Sequence, residues 1–437
     1  MSHLISGEVI SPPQSDAGSP LISPSPFSPD TPATESSVLF DDTLDSVLQG
    51  LVSDKEYILV TGGLGFIGSH TTLELLKANY NVIAIDNLSN AYANVYDRIK
   101  LLARRYHDQK GTPIPSLKHH NHDYRNTNAL RSLLDQFKLP SRWGSPKSKI
   151  AGVIHFAAYK AVEESLRQPL KYYANNVSGL IDFLNILGEY GIKTFIFSSS
   201  ATVYGTLANS NLPLKEEMCV HKTETVTNTH GHEQFVQPGC TGITNPYGRT
   251  KWMSEAILAD LAMSDPEWTI VALRYFNPIG CDTSGLLGED PRGIPTNLLP
   301  VVVKVMTGQY AELEMFGTDW DTEDGTAVRD FIHVTDLAQG HIAALHAASE
   351  GRLLENFRTF NLGTGQGHTV LEVVETMQKV SEKPIARRAV LRRAGDVGCC
   401  VAVVDRSLDE LHWKTQKSLT DACVDICNFL EVSGLTK

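Results

Sequence analysis

Short apolar runs alternate with longer amphipathic stretches through the middle of the chain. The run at 57–60, within EYILVTGGLGFIGSH, is continuously apolar, which predicts a strand buried on both faces. NVIAIDN, AGVIHFAA, KTFIFSSS and TIVALRYF have the same character, and helical stretches such as HTTLELLKA and LKYYANNVSGLIDFLNILGEY separate them. Strand alternating with helix predicts an α/β fold, a doubly wound parallel sheet, over 54–276. Beyond about 277 the pattern loosens into isolated helices, NLLPVVVKVMTG, DLAQGHIAALHAA and VLEVVETMQKV. There a smaller C-terminal α+β lobe, 277–437, is expected instead of more sheet.

Residues 1–53 carry six Ser-Pro or Thr-Pro steps and too little apolar area to offset the entropy of ordering, so disorder is expected. A phosphorylated tail and an inert extension are both compatible with that composition. The 437 residues, 42% hydrophobic, are enough for a large core, and a net charge of −12 disfavours a nucleic-acid surface. No apolar run is long enough to span a bilayer. The start lacks the blocks of a signal peptide, and the seven cysteines have no framework spacing. A cytoplasmic protein with free thiols is expected.

Gly62, Gly63, Gly65 and Gly68 follow the first strand and open its helix. A tight turn, close backbone approach to a pyrophosphate and a helix N-terminus at Phe66 and Ile67 make this a Rossmann-type dinucleotide site. Asp86 ends the next strand, about 20 residues on, where a carboxylate would accept from a ribose 2′-hydroxyl and repel a 2′-phosphate. NAD is therefore expected over NADP. A glycine-rich turn in another doubly wound protein is the plainer alternative.

In NPYGRTKWMSE, Asn245 can cap a helix that Pro246 begins, which puts Tyr247 and Lys251 on one face a turn apart. A protonated lysine beside a phenol lowers its pKa and makes a general base. An ordinary pair on a solvated helix would read the same.

Taken together, TGGLGFIGSH, SSSATVYG and NPYGRTK resemble the extended short-chain dehydrogenase/reductase family, in particular its nucleotide-sugar 4-epimerases. HFAAYKAVEESLRQPLKYYANNVSG, LRYFNPIG, GEDPRGIPTNLLP, EDGTAVRDFIHVTDLAQGH, NLGTGQG and RRAGDV extend the resemblance from about 57 to 413. It implies NAD-dependent interconversion of UDP-galactose and UDP-glucose, with tightly held NAD and a homodimer. It also implies roles. Tyr247 would be the acid/base, Lys251 would tune it and hold the nicotinamide ribose, and Ser200 would bind the sugar O4. Asp86, Asn87 and Asn90 would line the adenosine, with Asp123 and Tyr124 near adenine. Phe156, Ala157, Ala158, Lys160, Asn175 and Tyr275 would lie along the cofactor. Asn277, Asn297, Leu298, Phe316, Arg329, Arg393 and Asp396 would bind the nucleotide sugar, together with Lys160, Ser200 and Tyr247. Asn297 as a helix cap, Arg329 paired with Asp330 or Asp336, and Lys160 as a solvated cation are the plainer alternatives.

The related 4,6-dehydratases carry Asp-Glu where this chain has Ala201 and Thr202. A non-catalytic sensor of NAD and UDP-sugar is the other class, and the intact Ser200, Tyr247 and Lys251 argue against it. Two departures stand out. A polar insert at about 218–242 separates Ser200 from Tyr247; its Cys219, His221, His230, His232 and Cys240 match no common zinc spacing, and a floppy excursion without metal is expected. Cys400 stands where some relatives carry tyrosine, which either leaves room for an N-acetyl group or places a small buried thiol.

Overall fold

The computed structural model describes residues 56–140, 146–210, 212–227, 231–240 and 242–434. The tail at 1–53 and His230 lie outside them.

Seven parallel strands form the main sheet: β1 Tyr57–Thr61, β2 Asn81–Ile85, β3 Leu117–His120, β4 Ile150–His155, β5 Thr194–Ser200, β6 Thr269–Tyr275 and β7 Phe357–Leu362. Their order is β7-β6-β5-β4-β1-β2-β3, so the winding reverses between β1 and β4. Successive side chains point to opposite faces, and both faces are covered, which is why the central strands β1, β2 and β4 are mainly apolar, whereas the edge strand β3 is Leu-Lys-His-His. Ile58, Val60, Ile154 and Leu273 pack on one face, under α1 (Phe66–Lys77) and α3 (Val334–Ser349). Leu59, Val153, Phe195 and Ala272 pack on the other, under Gly179–Glu189 and α2 (Pro246–Ser264). Each buried aliphatic side chain contributes about 1.5–3 kcal/mol.

The registers align the carboxyl ends. Thr61 pairs with His155 and Tyr275 with Ser200, so the loops after β1, β4, β5 and β6 open onto one edge. Ligands in open α/β sheets bind at that edge, where the winding reverses.

The sequence reading ends the sheet with TIVALRYF, yet the chain returns: β7 lies beside β6, with Leu362 opposite Tyr275. Polar residues hide this strand in the sequence. Asn361 is fully buried, and its amide donates to the carbonyls of Leu214 (2.8 Å) and Val403 (3.3 Å). The insert also departs from expectation, since Glu224–Thr227 and Glu233–Val236 form an antiparallel hairpin instead of a structureless loop. Its strands carry polar residues at most positions, so apolar periodicity gives them no signal.

In the C-terminal lobe, Val328–His333 pairs with Asn277–Ile279, Gly367–Thr369 and Cys399–Cys400. Leu299, Val302, Phe331, Val373, Met377 and Phe429 form a separate core beneath it.

The glycine turn is close-packed at its end. A Cβ on Gly68 would lie 2.0 Å from the Gly62 carbonyl oxygen, a backbone atom with no freedom to retreat. Gly68→Ala is expected to destabilise the fold by about 1–3 kcal/mol, measured by urea unfolding at neutral pH.

Candidate active site

A cleft of about 850 Å³ opens at the switch between β1 and β4. Gly62 turns the chain with φ +70°, and Gly65 precedes α1, whose first-turn residues Phe66, Ile67 and Gly68 line the cleft. Asp86 is buried at the end of β2. One carboxylate oxygen accepts from the Leu64 N–H (3.0 Å) and the other from the Leu88 N–H (2.9 Å). The acid therefore fixes the glycine turn while each oxygen keeps a lone pair for a ligand. At the same end the Asn87 amide donates to Asp123 (3.1 Å), and Arg125 donates to Asp123 through two nitrogens (3.0 and 2.7 Å). The Arg125 hydrogen bond holds the Asp123 carboxyl below its ordinary range despite partial burial.

Phe156, Ala157, Ala158 and Lys160, after β4, form the opposite wall with Asn175. Tyr124 donates to the Asn175 carbonyl at 2.5 Å. Asn90, Tyr275 and Asn297 also line the cleft. Lys160 is half exposed and pairs with Glu289 at 3.4 Å. Asn297 precedes Leu298–Met306 but does not cap it with its side chain; its amide donates to Glu289 instead (2.9 Å).

Tyr247 and Lys251 close the inner end. Asn245 caps α2 by accepting from the Gly248 N–H at 2.8 Å, and Pro246 occupies the first turn as its fixed φ favours. Lys251 donates to the Ser198 carbonyl. Its Nζ lies 4.8 Å from the Phe197 ring centre and 5.9 Å from that of Tyr247. Ser200 accepts from the Thr202 N–H at 3.2 Å and hydroxyl at 3.0 Å.

The remaining predicted residues gather around Val328–His333. Arg329 donates to Asp396 at 2.8 Å, not to Asp330 or Asp336. Arg393 lies 3.8 Å from the same carboxylate, with its guanidinium 4.3 Å from the centre of the Phe316 ring. Cys400 is buried and pairs in register with Arg329, while Asn277 donates to the Asp330 carbonyl at 3.2 Å. Thr244, two residues before Pro246, donates to the Gly395 carbonyl at 3.0 Å and so joins the start of α2 to the Arg393–Asp396 turn.

The segment 58–363 matches the model of the NAD dependent epimerase/dehydratase family. The chain belongs to that family. The UDP-glucose 4-epimerase of Bos taurus is 44% identical over 371 residues, covering 85% of this chain and 95% of that one. The bifunctional protein gal10 of Schizosaccharomyces pombe is 43% identical over 374 residues, and the chain spans only 47% of its length. Among solved structures, UDP-glucose 4-epimerase from Bifidobacterium longum in complex with NAD+ and UDP has a TM-score of 0.71 at 38% identity, over 87% of this chain and all 100% of that one.

The cleft fits the family's NAD. A Cβ on Gly65 would meet only the Gly62 carbonyl, at 3.4 Å, so the turn is open toward the cleft. Phosphates would take the first-turn N–H groups of α1, and a ribose would take Asp86.

Enclosure dominates the electrostatics of this epimerase/dehydratase site. Burial pushes the phenol up to about 12, with the Ser200 side chain pulling the other way. Burial likewise pushes Lys251 down to about 7, opposed by the Glu255 charge. Both groups favour their neutral forms because both are enclosed, and the lysine directs its nitrogen at Ser198.

Several contributors escaped the sequence reading. The Asn176 amide donates to Thr250 at 3.1 Å and to the Tyr159 carbonyl at 3.0 Å, tying the Ala158–Lys160 wall to α2. Ser198 bonds to the Tyr275 hydroxyl. Both lie inside quoted blocks, but nothing in their spacing marks a contact between segments so far apart.

The lysine shift has a thermodynamic consequence. Between about 7 and the ordinary 10.5, the unfolded chain holds a proton on Lys251 that the folded chain does not, so stability rises with pH through that window. Below about 7 both states are protonated and the cost of burying the ammonium is fully present. Lys251→Met has no ammonium to bury, so its stability relative to the wild type is expected to be greatest near pH 6. That relative stability should fall toward pH 10, as followed by urea titrations across pH.

Proposed function

We propose that the chain interconverts UDP-galactose and UDP-glucose by inverting C4 of the hexose. The observation that carries this reading is that Tyr247 and Lys251 line the dinucleotide cleft with the Ser200 side chain against the phenol, while Thr244, just before their helix, bonds to Gly395 in the Arg393–Asp396 turn. NAD held in the cleft would supply a reversible hydride acceptor for C4. Tyr247, as the phenolate, takes the O4 proton, and as the phenol later returns it; burial favours the phenol, so the first step draws on the form that has already released its own proton to solvent. Ser200 sits beside the phenol to hold the O4 hydroxyl. Lys251, titrating near neutrality, supplies the positive charge that favours the phenolate when the proton must leave. Arg329 and Arg393 would grip the diphosphate through their planar forks, and Phe316 would lie against uracil. Inversion needs a 4-keto sugar that turns to present its other face, so firm contacts at the nucleotide end with few at the hexose suit this chemistry.

A non-catalytic sensor needs no buried tyrosine–lysine pair, and Ala201 and Thr202 provide neither acid nor base for 4,6-dehydration. The small Cys400 supports a wider range that includes UDP-N-acetylhexosamines. Ile181 and Met263, exposed on Gly179–Glu189 and α2, support a homodimer through those helices. No helix among the described residues is long and apolar enough to cross a membrane.

Purified protein given UDP-galactose should form UDP-glucose. Tyr247→Phe should cut kcat by about 10²–10⁴-fold while retaining NAD by absorbance; a mutant with comparable turnover would remove Tyr247 from the mechanism. Cys400→Tyr should lose turnover of UDP-N-acetylgalactosamine and keep that of UDP-galactose, measured by separating the two epimers.

A further inference from the structure

Behind the catalytic lysine lies a fully buried ionic cluster that the reaction scheme does not use. Glu255 is one turn beyond Lys251 on α2 and is 0% exposed, as is Arg274 on β6. Arg274 donates to Glu255 at 2.6 Å and also to the carbonyls of Glu216 (3.2 Å) and Cys219 (2.7 Å). Ser199, next to Ser200, donates to the other Glu255 oxygen. His221, from the start of the insert, completes the cluster with Nε2 2.7 Å from Glu255 Oε2. Its Nδ1 is buried without a partner among the described residues. The contact to the Glu255 carboxylate therefore uses a hydrogen on Nε2. The rings of Trp252 and Phe357 enclose His221 at 5.6 and 5.8 Å.

Burial alone would raise the Glu255 carboxyl; Arg274 and then the His221 hydrogen bond overcome it and hold the acid at about 2. Glu255 is thus an anion whose field reaches Lys251. The other groups facing Lys251 are Tyr247 on its own helix, His155 on β4, the Ser198 carbonyl on β5 and, through Ser198, the Tyr275 hydroxyl on β6. Burial holds His155 neutral, at about 3, and the hydroxyls of Tyr247 and Tyr275 keep their protons. Glu255 is therefore the only anion in that set, and whatever binds Glu255 modulates the lysine.

We propose that His221 is a positioning residue, which acts through its hydrogen bond to Glu255 to set the charge state of Lys251 and so couples the insert to the catalytic pair. The donated hydrogen bond draws off part of the carboxylate's field. Without it, more of that field reaches the ammonium and Lys251 keeps its proton to higher pH. The catalytic role of Lys251 rests on the proposed function, but the coupling does not.

The test follows Lys251 by lysine ¹³Cε NMR across pH in the protein as purified, with the resonance assigned by its loss in Lys251→Met. His221→Leu should move the Lys251 midpoint upward by about half a pH unit. His221→Gln, which retains a donor able to reach Glu255, should leave it near the wild-type value. His221→Asn, polar but too short to reach, should move it as His221→Leu does and carries the test if the leucine variant does not fold. Equal midpoints in the wild type and both loss variants would overturn the proposal, as would an equal shift in His221→Gln. UDP-galactose turnover measured on the same samples separates the two ideas. A shifted midpoint without wild-type turnover would retain the coupling and reject the epimerase reading.

Discussion

Enclosing an ammonium at the carboxyl ends of the parallel strands is the constraint around which this site is organised. A lysine taken from water needs either an anion or well-placed acceptors, and Lys251 has the Ser198 carbonyl in contact and Glu255 a turn away. Those two neighbours dictate much of the surrounding structure. Ser198 must end a strand with its carbonyl directed at α2, which requires β5 to run beside β6 in the observed register. Glu255 must itself be neutralised, which places Arg274 inside β6 and draws in the carbonyls of Glu216 and Cys219.

The same constraint explains how a long insertion is tolerated between Ser200 and Tyr247. Both ends of the connection are fastened before the hairpin leaves the body. On the way out, Leu214 bridges Ala402, while the Glu216 and Cys219 carbonyls bind Arg274. On the way back, the Gly242 carbonyl accepts from the Thr206 N–H at 3.0 Å, and Thr244 holds Gly395. The added loop entropy grows only slowly with length, so a hairpin between two fixed points costs little in stability. Tyr247 and Ser200 keep their relation because the insert is anchored next to each of them.

How much of this was legible depended on the kind of signal. The glycine turn, its acid and the Asn245–Lys251 run are local: each needs only residues within a turn or a strand, and the cleft brings them together as the pattern implied. β7 was missed because Arg358 and Asn361 interrupt its apolar run, and only the fold shows that Asn361 has buried carbonyls to bind. The charge state of Lys251 was missed for a related reason. From sequence the lysine is a cation beside a phenol, whereas in the fold the depth of burial outweighs the neighbour and moves both groups toward neutrality.

That difference bears on the chemistry. Inversion at C4 requires the tyrosine to take a proton in one step and return it in the other, so neither a strongly lowered nor a strongly raised phenol pKa serves both steps. In the fold, burial pushes the phenol up to about 12 and the neighbouring lysine down to about 7, so enclosure acts on the two groups in opposite directions. The Glu255 charge opposes the effect of burial on Lys251 and is itself shared among Arg274, Ser199 and His221. These buried side chains stand behind the pair, and one of them belongs to the insert.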